Sequence, residues 1–116
     1  MNELTREQKM DAARARMAEL ARKFLDRTDG DIASMRSGIG RMASDTNALA
    51  DIRHLAHRMV GTGATLGFES LSGFAHEIEK LAESCAPGVL PDDSTRRQIA
   101  DAVNALDTEF RKQRGS

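Results

Sequence analysis

The stretch that decides the fold runs from Ile52 to Leu81 and reads IRHLAHRMVGTGATLGFESLSGFAHEIEKL. Its first half is amphipathic, because apolar residues fall on one stripe when they are placed at about 100° per residue. This stripe comprises Leu49, Ile52, Leu55, Ala56, Met59 and Val60. His57 lies about 130° from the centre of the stripe, with Gly61 one turn after it and Arg53 one turn before it. The sequence therefore predicts a helix that presents an imidazole to solvent, next to a position without a side chain.

Gly61 and Gly63 interrupt a sequence that otherwise favours a helix, since glycine costs about 1 kcal/mol relative to alanine in a helix. One interpretation is that the two glycines end the helix, where glycine is common. The other is that Gly61 leaves room above His57 for the backbone of another protein. A neutral imidazole is nucleophilic at about pH 7 and can carry a covalent adduct. An accessible histidine here could therefore accept a chemical group from a docked partner.

The run from His57 to Gly67, HRMVGTGATLG, resembles the signature of histidine phosphotransfer (Hpt) domains, which reads His-x-Leu-Lys-Gly-Ser-x-x-x-Leu-Gly. The continuation to Leu81, which contains His76 and Glu79, is similar to the phosphotransfer domain of the chemotaxis kinase CheA. One position departs from the signature, because Val60 stands where the family has lysine. The resemblance implies a helical bundle in which two helices form a hairpin that bears the active histidine.

Before this stretch, the sequence predicts two helices. Thr5 and Gln8 fit a capping box, and the first helix should end near Thr28, before the pair Asp29-Gly30. Its apolar stripe consists of Met10, Ala13, Met17, Leu20, Ala21, Phe24 and Leu25. A second, shorter helix follows and carries Ile32, Met35, Ile39 and Met42 on one face. Five methionines fall on apolar stripes, so we expect them in the core: Met10, Met17, Met35, Met42 and Met59.

Three further helices complete the predicted fold. The third carries His57, is capped by Asp45 or Thr46, and ends between residues 65 and 67. The fourth begins near Glu69 or Ser70 and is broken by Ala86-Pro87-Gly88, and the last is capped by Asp92, Asp93 or Ser94. Short connectors between amphipathic helices favour antiparallel neighbours. The prediction is an all-α, up-down antiparallel four-helix bundle with an additional short helix near the N-terminal side.

The composition fits one small domain over residues 1–116, with enough apolar residues for a modest core. The net charge of −1 gives no electrostatic footprint for nucleic acid and no polybasic patch for a membrane. The sequence has no signal peptide and no apolar run long enough to cross a bilayer, so we expect a cytoplasmic protein. Cys85 is the single cysteine and cannot form an internal disulfide.

Glu79 is the candidate partner of the histidine. It lies at the edge of the apolar stripe of its helix, as His57 does, so the two side chains can meet if the helices pack antiparallel. The CheA-type resemblance implies that such a glutamate hydrogen-bonds the ring that accepts the phosphoryl group. A carboxylate on Nδ1–H would fix the tautomer and leave Nε2 as the nucleophile. The alternative is a solvated surface glutamate.

Positive charge near the histidine is the remaining feature of the predicted site. Arg53 is the candidate to stabilise a phosphate in place of the missing lysine, and Arg58 is less well directed. The predicted partner-binding face comprises His54, Arg58, Val60, Gly61 and Ala64. We predict no metal site, because the spacing of the histidines matches no standard zinc site.

The resemblance implies a phosphocarrier in a two-component phosphorelay. His57 would accept a phosphoryl group from a phospho-aspartyl receiver domain and pass it to another receiver. The expected partners are response regulator receiver domains and a sensor histidine kinase, and we expect a monomer. The chain would have no cofactor and no ATP site of its own, so it would not be an enzyme, and the divalent metal would belong to the receiver.

Two alternatives remain open. The first is a CheA-type module that a histidine kinase phosphorylates in trans, and the resemblance around His76 and Glu79 supports it. The second is a helical adaptor that works without phosphorylation. Val60 in place of lysine supports the adaptor, whereas the presence of both His57 and Gly61 argues against it.

Overall fold

The computed structural model describes residues 3–115, which form four α-helices in the order α1 (Arg6–Arg41), α2 (Ala48–Thr65), α3 (Glu69–Glu83) and α4 (Asp93–Gly115). Side-chain contacts show that neighbouring helices run antiparallel. In the pair α2 and α3, His57 contacts Glu79 whereas Val60 contacts Ser72. In the pair α1 and α4, Arg36 contacts Asp107 whereas Arg114 contacts Asp26, so the two helices run in opposite directions. The described residues contain no strand. The prediction of an all-α, up-down bundle is therefore confirmed.

The core of the bundle is aliphatic and receives side chains from every helix. The largest of those that are fully buried include Met35, Met42, Ile52, Leu71, Ile78, Ile99 and Leu106. Phe24 of α1 and Phe68, just before α3, stack with ring centroids 5.0 Å apart. Full burial of an aliphatic side chain stabilises a fold by about 1.5–3 kcal/mol before the loss of conformational entropy is counted. Apolar burial thus fixes the positions of α2 and α3, which carry the predicted site.

The predicted break at Asp29-Gly30 is wrong, because α1 continues through both residues as one helix of 36 residues. A Cβ atom built on Gly30 meets no atom within 4 Å, so this glycine lies on the open side of the helix. Thr28 and Ile32 flank it and are buried in the bundle. Their packing offsets the helix propensity that glycine loses, about 1 kcal/mol. The predicted short second helix is the C-terminal part of α1.

The N-terminal part of α1 extends beyond the other helices. Its first buried residue is Phe24, and Arg114 near the end of α4 contacts Asp26. Met10 and Met17 are 47% and 48% exposed, so the prediction that they belong to the core is wrong. They lie on an apolar stripe, as the sequence indicates, but no other helix of the described chain reaches them. The other three predicted core methionines, Met35, Met42 and Met59, are buried.

The ends of the helices follow local chemistry. The capping box of Thr5 and Gln8 is present at the start of α1. At the start of α4 the Asp92 carboxylate accepts the Thr95 N–H at 2.8 Å, and this bond lowers the pKa of Asp92. The expectation that Asp45 or Thr46 caps α2 is wrong, because Asn47 precedes the helix and makes no side-chain cap. Asp45 instead accepts the Asn47 N–H at 2.8 Å within the turn.

Candidate functional site

His57 lies in the middle of α2, on the side that faces solvent, and its side chain is 69% exposed. The same helix buries Ile52, Ala56 and Met59 on its opposite side. Residues on both sides of His57 are therefore held in the core, which fixes the backbone that carries the ring. The imidazole is both accessible and rigidly placed, as the sequence predicts.

Glu79 of α3 holds the ring of His57. Oε2 of Glu79 is hydrogen-bonded to Nδ1 of His57, and the Glu79 side chain is only 9% exposed. Because an ionised carboxylate can only accept hydrogen bonds, Nδ1 carries the proton. Nε2 then bears the lone pair, and none of the described residues forms a hydrogen bond with it. The pair has the geometry of an imidazole oriented for attack through Nε2.

His76 forms a second contact with the same carboxylate. Its Nδ1 lies 3.5 Å from Oε1 of Glu79, three residues further along α3, and its side chain is 54% exposed. Glu79 therefore lies between two imidazoles. Sequence reasoning gave His76 no role at the site, although residues three apart on a helix are neighbours and the spacing could have suggested this contact.

The two glycines of α2 have different surroundings, and neither ends the helix, which continues to Thr65. A Cβ atom on Gly61 would meet nothing within 4 Å, and the residue is exposed one turn after His57. A Cβ atom on Gly63 would lie 3.3 Å from Cζ of Phe24. Gly63 thus permits close packing of the core, whereas Gly61 leaves open space beside the imidazole.

A shallow groove between α2 and α3 lies next to the histidine. Its volume is about 450 Å³, and its lining consists of Val60, Ala64, Glu69, Ser72, Gly73 and His76. Val60 is half-buried against the core, and its carbonyl oxygen accepts a hydrogen bond of 2.8 Å from the Ser72 hydroxyl. The residue that replaces the family lysine is therefore part of an apolar groove wall.

The two arginines considered for phosphate contact differ in their surroundings. Arg53 is exposed one turn before His57, and in the described part of the chain no ion pair includes it. Arg58 forms an ion pair of 3.0 Å with Asp31 of α1, whose side chain is 13% exposed. Arg58 therefore links α2 to α1. His54, also predicted at the partner-binding face, is exposed one turn before His57.

A bundle that exposes an imidazole, with a nearly buried carboxylate on the adjacent helix to orient it, has the arrangement expected of helical proteins that carry a group covalently on histidine. A statistical description of the Hpt domain matches residues 19–109, and the chain belongs to this family. Hpt domains are phosphocarriers of phosphorelays, so histidine phosphotransfer is the general function of the chain. The closer similarity to CheA-type domains is not confirmed.

Searches of curated proteins and of solved structures return no significant match. Among residues 3–115, no helix has the length and apolar character needed to cross a membrane. The same residues contain no cluster of three or more histidine, cysteine, aspartate or glutamate side chains that could hold a metal ion. Support for the function of the chain comes from the family match and from the geometry around His57.

Proposed function

We propose that the chain is a phosphocarrier in which His57 accepts a phosphoryl group from the phospho-aspartate of a receiver domain and passes it to a second receiver. The observation that carries this proposal is the hydrogen bond between Nδ1 of the exposed His57 and the nearly buried carboxylate of Glu79. A structural histidine–glutamate pair needs no exposed ring. Here the ring faces solvent while its orienting partner is shielded, as a nucleophile for an external substrate requires.

The proposed transfer uses one lone pair and one proton. Nε2 of His57 attacks the phosphorus atom of the acyl phosphate, and the bond between phosphorus and the aspartate oxygen breaks. The aspartate leaves as a carboxylate, and the new N–P bond makes the ring cationic while Nδ1 keeps its proton. Glu79 accepts a hydrogen bond from that proton and balances the positive charge. Attack by the aspartate of a second receiver on the phosphohistidine reverses these steps.

The docking face is proposed to centre on Gly61. Its missing side chain lets the receiver backbone approach the Nε2 side of His57. Val60 and Ala64 offer an apolar groove wall on one side, and His54 lies one turn before the reactive ring. A sensor histidine kinase would supply phosphoryl groups to the first receiver. The divalent metal and the acidic residues that bind it would belong to the receiver, and this chain would contribute no cofactor.

Arg53 is proposed to balance part of the charge on the phosphoryl group of the phosphohistidine, which carries about two negative charges by analogy with other phosphorylated side chains. Among the described residues no ion pair competes for its guanidinium, whereas Arg58 is held by Asp31. An exposed ion pair contributes about 0.2–1 kcal/mol, which corresponds to a severalfold change in rate or lifetime. Arg53 would therefore change the rate or the adduct lifetime only severalfold, whereas His57 would form the bond to phosphorus and Glu79 would orient its ring.

A second candidate function is phosphorylation in trans by the ATP-binding domain of a histidine kinase, as in a CheA-type module. The contact of His76 with Glu79 favours it, because that part of α3 carries the CheA-type resemblance. Both candidates use the same nucleophile and differ in the phosphoryl donor. An adaptor without phosphorylation is less well supported, because it gives no reason to keep a carboxylate nearly buried against an exposed imidazole.

The test incubates the full chain with receiver domains that have already been phosphorylated and, separately, with histidine kinases and ATP. We expect an acid-labile, base-stable label from the receiver, as an N–P bond requires. His57→Gln should abolish labelling, whereas His54→Gln and His76→Gln should keep most of it. Labelling that persists in folded His57→Gln protein would overturn the site, and labelling by the kinase alone would favour the second candidate.

A further inference from the structure

The N-terminal part of α1 extends past the bundle as a single uncovered helix. We define residues 6–20 as the projecting segment; it precedes Phe24, the first buried residue of α1. At 1.5 Å per residue the segment is about 22 Å long. The molecule is accordingly elongated, with extents of 64 × 26 × 19 Å. A domain of this size normally buries about 60–70% of the surface that its unfolded chain exposes, and most helices are stabilised by packing one apolar face, so an uncovered helix of this length needs its own explanation.

The projecting segment carries an apolar seam with the spacing of a coiled coil. Apolar residues alternate at intervals of three and four, as positions a and d of a heptad do: Met10, Ala13, Met17, Leu20 and Phe24. Met10, Met17 and Leu20 are 47%, 48% and 47% exposed, whereas Phe24 enters the core and stacks on Phe68. The seam therefore extends the apolar surface of the bundle onto the projecting segment, where no second helix of the described chain covers it.

One flank of this seam is basic. Lys9, Arg16 and Lys23 each precede a seam residue and form a ridge along the helix, at the position called g in a heptad. The ion pairs of this part of α1 join Arg14 to Asp11 and Arg22 to both Glu19 and Asp26. None of the ion pairs in the described part of the chain includes a residue of the basic ridge. Arg22 and, to a smaller extent, Lys23 lower the pKa of Glu19, so Lys9 and Arg16 are the residues of the ridge that offer positive charge to a partner.

Charge argues against a second copy of the chain as that partner. Antiparallel pairing of two projecting segments would place basic ridge against basic ridge, since g faces g in that orientation. Parallel pairing would place the ridge opposite Arg14 and Ala21, which offer no carboxylate. Like charges in contact disfavour an interface between two copies of the segment, and opposite charges favour a partner that is acidic.

We propose that the projecting segment binds an acidic amphipathic helix of a partner protein and forms a two-helix coiled coil with it. Leucine or similar side chains of the partner would cover Met10, Met17 and Leu20, and its glutamates would pair with Lys9 and Arg16. This interaction is separate from phosphotransfer, because the contacts that the structure shows between α1 and the helix of His57 lie beyond the segment, at Phe24, Asp31 and Gly38. It would attach the carrier to a protein while the docking face around Gly61 stays free.

The test measures binding of the intact chain to two designed helical peptides by calorimetry. Both peptides have leucine at positions a and d over about three heptads, with glutamate at e and g in one and lysine in the other. We expect the acidic peptide to bind and the basic peptide not to bind. Arg16→Glu and Met17→Gln should each weaken binding roughly tenfold, from lost charge pairing and lost apolar contact respectively.

Arg97→Glu is the matched control, because Arg97 is exposed on α4 and its reversal changes the net charge equally. It should leave peptide affinity unchanged, as should His57→Gln. The proposal is overturned if the acidic peptide does not bind, or if both peptides bind alike. It is also overturned if the chain alone sediments as a dimer through the segment, or if the segment binds anionic lipid vesicles but neither peptide.

Discussion

Glu79 is nearly buried, yet both of its carboxylate oxygens are directed at imidazoles, one on His57 and one on His76. Glu79→Ala removes the acceptor of the Nδ1 proton, so the ring can rotate and change tautomer. We expect phosphoryl acceptance to slow about tenfold, a typical effect of removing a carboxylate that orients a histidine. Glu79→Gln keeps an oxygen acceptor and loses only the charge, so its defect should be smaller.

The measurement is the single-turnover rate of transfer from a phosphorylated receiver to each variant. Glu77→Gln is the control, because Glu77 lies two residues away on the exposed side of α3 and pairs with Lys80. Equal rates for Glu79→Ala and the unmodified protein would show that the carboxylate has no part in orienting the nucleophile.

A substitution at Gly61 tests the position of the docking face. Gly61→Leu fills open space without meeting any atom of the chain, and it replaces glycine by a better helix former. We expect unfolding free energy to stay the same or to rise by up to about 1 kcal/mol, while transfer from the receiver is blocked. Thermal unfolding and the transfer assay measure the two effects separately. Transfer at the normal rate, with receiver affinity unchanged, would place docking elsewhere.

A substitution at Val60 tests how the chain compensates for the absence of the lysine that the family signature has at this position. Val60→Lys adds a charge one turn from His57, so we expect faster acceptance or a longer-lived adduct, by a severalfold factor. The groove offers the opposing account, because Val60 forms part of its apolar wall. If apolar contact between this groove wall and the receiver matters more than the added charge, Val60→Lys will weaken receiver binding and slow transfer. Rate and affinity, measured on the same protein, distinguish the two accounts.

At the scale of the element, the local sequence of α1 predicts a break at Asp29-Gly30, whereas tertiary packing keeps the helix continuous. If α1 is continuous, Gly30→Ala should stabilise the fold by about 1 kcal/mol, because a Cβ at this position meets no atom and alanine favours the helix. Gly38→Ala is the matched comparison within the same helix. Its Cβ would lie 2.9 Å from Cγ1 of the fully buried Ile52, so we expect a net loss of stability.

Denaturant unfolding of both variants gives the two free energies. A destabilised Gly30→Ala protein would indicate that the chain breaks at Asp29-Gly30, as the sequence alone suggests. The comparison with Gly38→Ala controls for any general effect of adding a methyl group to α1.

The elements that sequence could predict are those whose apolar stripe is covered along its whole length. The end of α2 near Thr65 and the start of α3 at Glu69 agree with their predicted positions, because stripe, glycine and connector all indicate the same boundaries. The exposure of Met10 and Met17 could not be predicted, because periodicity identifies the apolar face of a helix but does not show whether another helix covers that face. That depends on the lengths of α2 and α4 relative to α1.

At the scale of the whole molecule, the site arises from the antiparallel packing of α2 and α3. His57 and Glu79 are 22 residues apart in sequence and meet because α2 and α3 pack antiparallel, with Glu79 nearly buried and the His57 ring on the side that faces solvent. The ion pair of Arg58 with Asp31 depends on the register between α1 and α2, which no local pattern encodes. Arg58 therefore belongs to the support of α2, a role that sequence reasoning did not assign.

The central claim is that His57 carries the phosphoryl group on Nε2 while Glu79 holds Nδ1. The most direct test is NMR of the ¹⁵N-histidine-labelled chain after phosphorylation by a receiver domain. We predict coupling between phosphorus and Nε2 of His57, with the proton retained on Nδ1. Phosphorus bonded to Nδ1 of His57, or to a ring nitrogen of His54 or His76, would contradict the claim.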